Sequence, residues 1–317
     1  MVVAACLVAL AAGVDTSQAR TVGTGTARSC TSAAVVAAVR AGGTIRFACG
    51  SRPVTIRMRA TAKVRNTRRE VVLDGGGKVT LSGEGRRRIL YMNTCDRSLV
   101  WATPHCQDQA TPRLVVRDLG FANGNSTGED VDGGGGGAIF VRGGRLSIER
   151  STFTGNRCDR QGPDIGGGAV RALSQYHSLP VDVTDSRFTG NVCSNGGALS
   201  SIGVSWNVRR SRFTRNRAVG NGANPARGGT PGGGSGGAIC NDGNRFTLTI
   251  TGSRLTGNRA AEGGGAVFFV SNDRTGTMAI TDSVLERNPS AGFETRGLPG
   301  IFFLGAAPPT VTRSVLR

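Results

Sequence analysis

Aromatic residues are scarce in this chain, at 5% of 317 residues with only two Trp and two Tyr. So few large rings cannot fill a thick globular core, and a long core of small and β-branched side chains is expected instead. The same scarcity leaves little for nucleobases to stack on, and no basic helix is evident, so specific nucleic-acid readout is not expected. Histidine is limited to His105 and His177, and neither has a companion His or Cys at metal-ligand spacing. Lysine is limited to Lys63 and Lys78. None of the Gly runs leads through Gly-Lys-Ser/Thr into a helix, which excludes a phosphate-binding loop. Beyond the first residues no apolar run is long enough for a membrane span. Acidic residues number 21 against 39 basic ones, and the resulting charge of +18, nearly all from Arg, favours polyanionic partners.

Glycine is abundant, at 50 residues, and many of the glycines are periodic. One phrase reads Phe153-Thr-Gly-Asn156, Phe188-Thr-Gly-Asn191, Phe213-Thr-Arg-Asn216, Leu255-Thr-Gly-Asn258 and Leu285-Glu-Arg-Asn288. Its partner reads Gly136-Gly-Ala-Ile139, Gly167-Gly-Ala-Val170, Gly196-Gly-Ala-Leu199, Gly236-Gly-Ala-Ile239 and Gly264-Gly-Ala-Val267. Recurrence at roughly 25 to 40 residues marks a solenoid, whose units bury their apolar faces only by stacking. Aliphatic pairs such as Leu146/Ile148, Val181/Val183 and Leu248/Ile250 precede each phrase, separated from its Phe or Leu by Ser151, Ser186, Ser211, Ser253 and Ser283. Each unit thus offers inward aliphatics, a bend, an inward Phe or Leu, and an Asn whose amide can hydrogen-bond along the stack. The segment between Asn and Gly-Gly-Ala varies most in length, which places those inserts on one side as candidate binding loops.

In chain order, Val2 to Val14 is an apolar run followed by Ser17-Gln-Ala19, so residues 1–19 read as a secretory signal. Val3-Ala-Ala-Cys6 resembles a lipobox only faintly, because most of the apolar run follows Cys6. Residues 20–317 read as one solenoid domain: capped opening coils over 30–112, with a side excursion at 93–112, then repeat coils over 113–317. Thr31 or Ser32 can cap a short helix over Ala33 to Arg40 that covers the open end of the stack. Thr44–Phe47, Val54–Ile56, Val71–Leu73 and Val79–Leu81 alternate like half-buried strands, with Asp74-Gly-Gly-Gly77 as a turn between the last two. Export makes disulfides available. Cys158 and Cys193 both fall two residues after the repeat Asn, so stacking brings them together at about 4.8 Å. Cys30 with Cys49 and Cys95 with Cys106 are the local pairs, which leaves Cys240 free or intermolecular.

The Gly-Gly-Ala-[Ile/Leu/Val] and Phe-x-x-Asn phrases over about residues 114–316 resemble the repeats of polymorphic outer-membrane proteins, within the pectin-lyase-like superfamily. The resemblance implies an all-β fold, a right-handed single-stranded parallel β-helix with a short N-terminal capping helix. It also implies surface adhesion as a function, and polysaccharide lyase, hydrolase or epimerase activity as the alternative. The Gly-His-Gly and Asn-Thr-Asp phrases of the superfamily's polygalacturonases are absent, as is the Asp-Phe-Ile-Phe-Gly of its pectinesterases.

Two residues after the second aliphatic stand Asp118, Arg150, Asp185, Arg210, Gly252, Asp282 and Arg313, a column of alternating charge. It reads as register-fixing ion pairs in a bend. If the chain is an enzyme, Asp118, Asp185, Arg150 and Arg210 are the candidate catalytic residues, because Asp118 and Asp185 stand near the upper carboxylate separation that glycosidases use. Glu129, Asp130 and Asp132 are weak candidates for Ca²⁺, and no other cofactor is implied. Thr247-Thr249-Thr251 alternates, but no neighbouring coil is expected to repeat it, which argues against an ice-binding array. The expectation is a secreted or cell-surface monomer, non-catalytic, that recognises an acidic polysaccharide or cell-envelope polymer. The acidic-glycan enzyme is the runner-up, and a purely structural envelope role is a third class.

Overall fold

The computed structural model describes residues 19–100, 104–130 and 133–317. The expected leader, apart from Ala19, lies outside the described residues, as do Cys6 and Asp132. The described chain is a parallel β-helix. Its strands stack into sheets of 17, 8 and 3 strands, and α1 (Ser32–Ala41) is the single α-helix among the described residues.

The largest sheet consists of two columns of short strands. Three successive coils illustrate it: Val181–Thr184 and Arg187–Thr189, then Trp206–Arg209 and Arg212–Thr214, then Thr247–Thr251 and Arg254–Thr256. Alternation sends every second side chain inward, so in-register pairing stacks like on like. Ile148, Val183, Val208, Ile250 and Ile280 form one continuous buried column. Phe121, Phe153, Phe188 and Phe213 form another, with rings stacked 4.9, 4.7 and 4.6 Å apart, and Leu255 and Leu285 continue it.

Polar ladders fix the corners. The backbone N–H of Ser151, Ser186, Ser211 and Ser253 each donates to the hydroxyl of the equivalent Ser in the next coil, at 3.0 to 3.1 Å. Buried Asn156, Asn191, Asn216, Asn258 and Asn288 bond one to the next through their amides at 2.9 Å. The Gly-Gly-Ala phrases lead into the 8-stranded sheet, whose strands include Val170–Leu173, Leu199–Ile202 and Ile239–Gly243.

The cap forms as its sequence suggests, one residue longer at each end. Thr31 Oγ1 accepts the Ala34 N–H at 3.2 Å, and Val35, Ala38 and Val39 are buried against the first coils. The Asp74-Gly-Gly-Gly77 segment differs from the expected turn. Glu70–Ser82 is one strand, and the glycines are absorbed as a register shift between Asp74 and Val79 that carries the chain from the first column into the second. Threonine also stacks where no repetition was expected: Thr277 and Thr281 lie in register with Thr247 and Thr251, and Thr312 with Thr281. Ala279 interrupts the middle row, and Thr249 spends its hydroxyl on Asn207 Oδ1 at 2.7 Å.

Disulfides join Cys30 to Cys49, Cys95 to Cys106 and Cys158 to Cys193, with Cα separations of 5.6, 5.0 and 4.8 Å. Cys240 is free and buried. Among the described residues no helix is long and apolar enough to cross a membrane.

Candidate functional site

The charge column lies at the bend between the two strand columns of the long sheet. Asp118, Arg150, Asp185, Arg210, Gly252, Asp282 and Arg313 all have positive φ, from 42° to 59°, so the corner is built on left-handed residues. Asp, with its short polar side chain, and Gly suit that conformation. The arginines are held there by their partners. Arg150 forms a two-pronged bond to Asp118 (2.8 and 2.8 Å), Arg210 to Asp185 (2.9 and 2.8 Å), and Arg313 to Asp282 (2.6 and 2.9 Å).

The ladder is therefore not continuous. Each arginine reaches back one coil to its Asp, and Arg150 leaves Asp185 to Arg210. The hydrogen bonds from the guanidinium hold the Asp118, Asp185 and Asp282 carboxyls below the usual carboxylate range, and the attraction of the charges adds to them. Asp118 and Asp185 stand two coils apart, roughly 9.6 Å by strand spacing. Both stay ionised, whereas a glycosidase pair needs one carboxyl that holds its proton near neutral pH.

The other carboxylates of the long sheet are also engaged. Arg113 lies 3.6 Å from Glu70, Arg117 3.0 Å from Asp74, Arg150 3.7 Å from Glu149, and Arg209 3.0 Å from Asp182. Glu286 is held by Arg317 at 2.9 Å and by Arg254.

The calcium candidates are dispersed in their contacts. Glu129 meets the buried Arg88 at 3.1 Å, Asp130 is exposed, and Asp132 lies outside the described residues. Among the described residues no three His, Cys, Asp or Glu side chains converge as a metal group would require. His177 stacks on Tyr176, with Asp108 3.8 Å from its Nε2.

The inserts fold over the outer face of the 8-stranded sheet. The Gly162 N–H donates to Gly232 O, and Asn195 Nδ2 donates to Pro163 O, which closes the segment over Arg171, Ser200 and Cys240. Arg171 is 2% exposed, and its Nη1 donates to Ser200 Oγ at 2.6 Å. Burial pushes its guanidinium down to about 10, so it remains a cation at neutral pH, and burial pushes the Cys240 thiol up. The thiol is closed off and protonated, which is the environment of an inert cysteine.

A different set of residues stands out, one the bend column obscures in the sequence. Three consecutive coils carry Ser186-Arg-Phe-Thr-Gly-Asn-Val-Cys193, Ser211-Arg-Phe-Thr-Arg-Asn-Arg-Ala218 and Ser253-Arg-Leu-Thr-Gly-Asn-Arg-Ala260. Ser, Phe or Leu, and Asn turn inward, so Arg187, Arg212, Arg215, Arg217, Arg254 and Arg259 all turn outward and are exposed. These segments contain no acidic residue. Arg187, Arg212, Arg215, Arg217 and Arg259 make no ion pair among the described residues, while Arg254 shares Glu286. Arg187, Arg212 and Arg254 pair in strict register, as do Thr189, Thr214 and Thr256 two residues on. Arg217 and Arg259 form a further in-register column around the next corner. The signal was readable as the repeated Ser-Arg-[Phe/Leu]-Thr phrase.

Compared with models of protein families, with curated proteins and with solved structures, the chain shows no match to any of them.

Proposed function

We propose that this is an exported, non-catalytic recognition protein that holds an acidic polymer of the cell envelope or its surroundings on the arginine face of the β-helix. One observation carries the reading: the carboxylates of the long sheet are engaged by arginine, whereas the Ser-Arg-[Phe/Leu]-Thr segments of three adjacent coils contain no acid and present six exposed arginines, five of them outside any ion pair among the described residues and the sixth, Arg254, on Glu286. A surface of one sign attracts and concentrates a polymer of the other. Arginine suits the task because its planar fork fits carboxylate, sulfate or phosphate groups. The ionised state of Asp118 and Asp185 supports binding over bond cleavage, since neither retains a proton to give to a leaving oxygen.

The three disulfides support folding in an oxidising compartment. The Gly-Gly-Ala and Phe-x-x-Asn phrases support the kinship with polymorphic outer-membrane repeats and their adhesive role. The test is retention of the monomeric mature protein on immobilised acidic polysaccharides across a salt gradient, with and without Ca²⁺, while new chain ends are assayed in solution. Retention that weakens with salt and leaves the polymer intact is the expected result. Polymer cleavage abolished by Asp185→Asn would overturn the reading in favour of an acidic-glycan enzyme, and absence of retention would leave a structural role.

A further inference from the structure

We propose that the outer face of α1 is a binding site for a single-chain lipid with a phosphomonoester head, its acyl chain lying along the helix and its phosphate held by Arg40, Arg65 and Arg68. The site is at the capped end of the stack, away from the arginine face of the preceding reading, and does not rest on that reading.

The helix is apolar around too much of its circumference. Between Ser32 and Ala41 only Ser32 and Arg40 are polar. One stripe, Val35, Ala38 and Val39, is buried against the first coils, which is all that a capping helix needs to bury. A surface helix then turns polar groups outward, whereas α1 turns out Ala33 and Ala37, both exposed, and Val36, half-buried. These three stand at i, i+3 and i+4, so they form a second apolar stripe on one side of the helix.

That stripe is the floor of a groove. The chain returns beside the helix between residues 59 and 68, where the Arg59 N–H donates to Ser32 Oγ at 2.8 Å and Arg68 Nε donates to Arg40 O at 3.2 Å. Between the helix and the returning chain lies a cavity of about 630 Å³, floored by Ala33, Val36, Ala37 and Ala60. Such a volume is typical of sites for small molecules. A partner helix, about 10 to 12 Å across, would stand mostly outside it, whereas one extended acyl chain can lie within.

The charge along its rim has one sign. Arg40, Arg59, Arg65 and Arg68 line the groove, no acidic residue does, and none of the four forms an ion pair among the described residues. Glu70, the acid nearest in sequence, lies 3.6 Å from Arg113 instead. Three of the arginines gather at the C-terminal end of α1. The Arg68 N–H donates to Arg65 O, and the Arg68 stem packs over Gly42, where an added Cβ would come within 2.9 Å of its Cγ and Cδ. Gly42 caps the helix with φ of 73°, so glycine serves both the turn and the seat for Arg68. The arginine stems can wall the groove while their heads stay at water. A phosphomonoester carries a charge of about −1.5 to −2 at neutral pH and three acceptor oxygens, which three guanidinium forks can share. A carboxylate head offers less charge and only two oxygens.

The experiment is titration of the mature chain with 1-oleoyl lysophosphatidate below its micelle concentration, followed by calorimetry and native mass spectrometry. One lipid per chain is the expected stoichiometry. Oleate and monooleoylglycerol, which share the tail, should bind at least about tenfold more weakly, and glycerol phosphate, which shares the head, more weakly still. Ala37→Glu sets a carboxylate in the floor at an exposed helical position, and it should abolish binding at an unchanged melting temperature. Arg65→Gln should cost about tenfold for lysophosphatidate and nothing for monooleoylglycerol, a split that loss of fold would not produce. Arg245→Ser, an exposed arginine far from α1, should bind as the parent does. If glycerol phosphate or monooleoylglycerol binds as tightly as lysophosphatidate, the pairing of apolar floor and cationic rim is wrong. If binding appears only above the micelle concentration, the protein adsorbs to an aggregate and the groove is not the site. If the chain sediments as a dimer that Ala37→Glu dissociates, or an acidic amphipathic peptide displaces the lipid at lower concentration, the face belongs to a second chain or a protein partner and the proposal falls.

Discussion

Asn191 Nδ2 donates to Asn216 Oδ1 at 2.9 Å, and the backbone N–H of Asn191 reaches the same oxygen at 3.0 Å. Asn216 Nδ2 in turn donates to Asn258 Oδ1 and to Phe188 O, so one fully buried amide ties three coils together. Asn216→Ala leaves the Asn191 N–H without its acceptor and removes a donor from both Phe188 O and Asn258 Oδ1. Each buried polar group so orphaned costs about 1 to 3 kcal/mol, and the expected loss is roughly 3 to 5 kcal/mol by urea denaturation. Asn224 lies in an insert outside the ladder, and Asn224→Ala should cost far less.

The Cys158–Cys193 bridge joins equivalent positions of adjacent coils, 35 residues apart in sequence. Closing a loop of that length restricts the unfolded chain, so Cys158→Ser/Cys193→Ser should lose about 2 to 4 kcal/mol without changing the far-ultraviolet circular dichroism of the folded state. Cys240 should behave in the opposite manner. Its buried, protonated thiol should resist maleimide in the native protein and react after denaturation, as mass spectrometry of the peptide containing residue 240 would report.

Two aspartates make opposite predictions for pH. Asp185 is held below the usual carboxylate range by the Arg210 hydrogen bonds. The stability it contributes is therefore fully present above its unfolded value and is lost as pH falls through the lower folded value. Asp185→Asn should reduce stability at neutral pH and flatten the acid limb of the stability curve. Asp242 is pushed up, chiefly by burial, so the folded state favours its protonated form. Stability is greatest below the ordinary carboxylate value and is lost as pH rises toward the raised one. The Gly243 N–H and Asn272 Nδ2 both donate to Asp242 Oδ1, bonds that Asn can keep. Asp242→Asn should therefore melt higher than the parent at pH 7 and equally at low pH, by calorimetry across pH.

Much of this architecture can be read directly, because a solenoid repeats its constraints. Inward positions must match their neighbours in every coil, so Phe188 over Phe153 and Asn191 over Asn156 appear as visible recurrence. Outward positions carry no such constraint. The bend column attracts notice because Asp118, Arg150, Asp185 and Arg210 alternate, yet alternation is the pattern of charges that satisfy one another. Arg187 and Arg212 are distinguished only by the carboxylates that do not stand beside them, which depends on where Asp185 lands in space, whereas Arg254 in the same register is held by Glu286. The Gly75–Gly77 run reads as a turn in the sequence and is a bulge in the fold for a related reason. Glycine allows a turn or a bulge, and pairing with the continuous strand Arg113–Ala122 decides for the bulge.

Gly190 and Gly197 belong to the same coil and should respond very differently to an added methyl group. Gly190 precedes the ladder residue Asn191 with φ of 62°, and a Cβ there would meet nothing within 4 Å. Equivalent corners are occupied by Arg215 (φ 55°) and Arg287 (φ 53°), so the left-handed conformation is tolerated with a side chain. Gly190→Ala should cost about 1 to 2 kcal/mol, the ordinary penalty for an L-residue in that region. Gly197 is the second glycine of Gly-Gly-Ala and does not have positive φ. Its Cβ would lie 2.4 Å from Arg217 N and 2.4 Å from Gly237 O, backbone atoms of the next coil that cannot step aside singly. Adding the methyl forces the coils apart where Ala198 N–H and Leu199 N–H both donate to Ala238 O. Gly197→Ala should therefore cost more than about 4 kcal/mol, enough to remove most of the folded protein. Thermal melts of the two variants side by side test this directly. A Gly197→Ala protein as stable as Gly190→Ala would mean that the coils are not packed backbone to backbone at this corner, and that the recurring second glycine has some other cause.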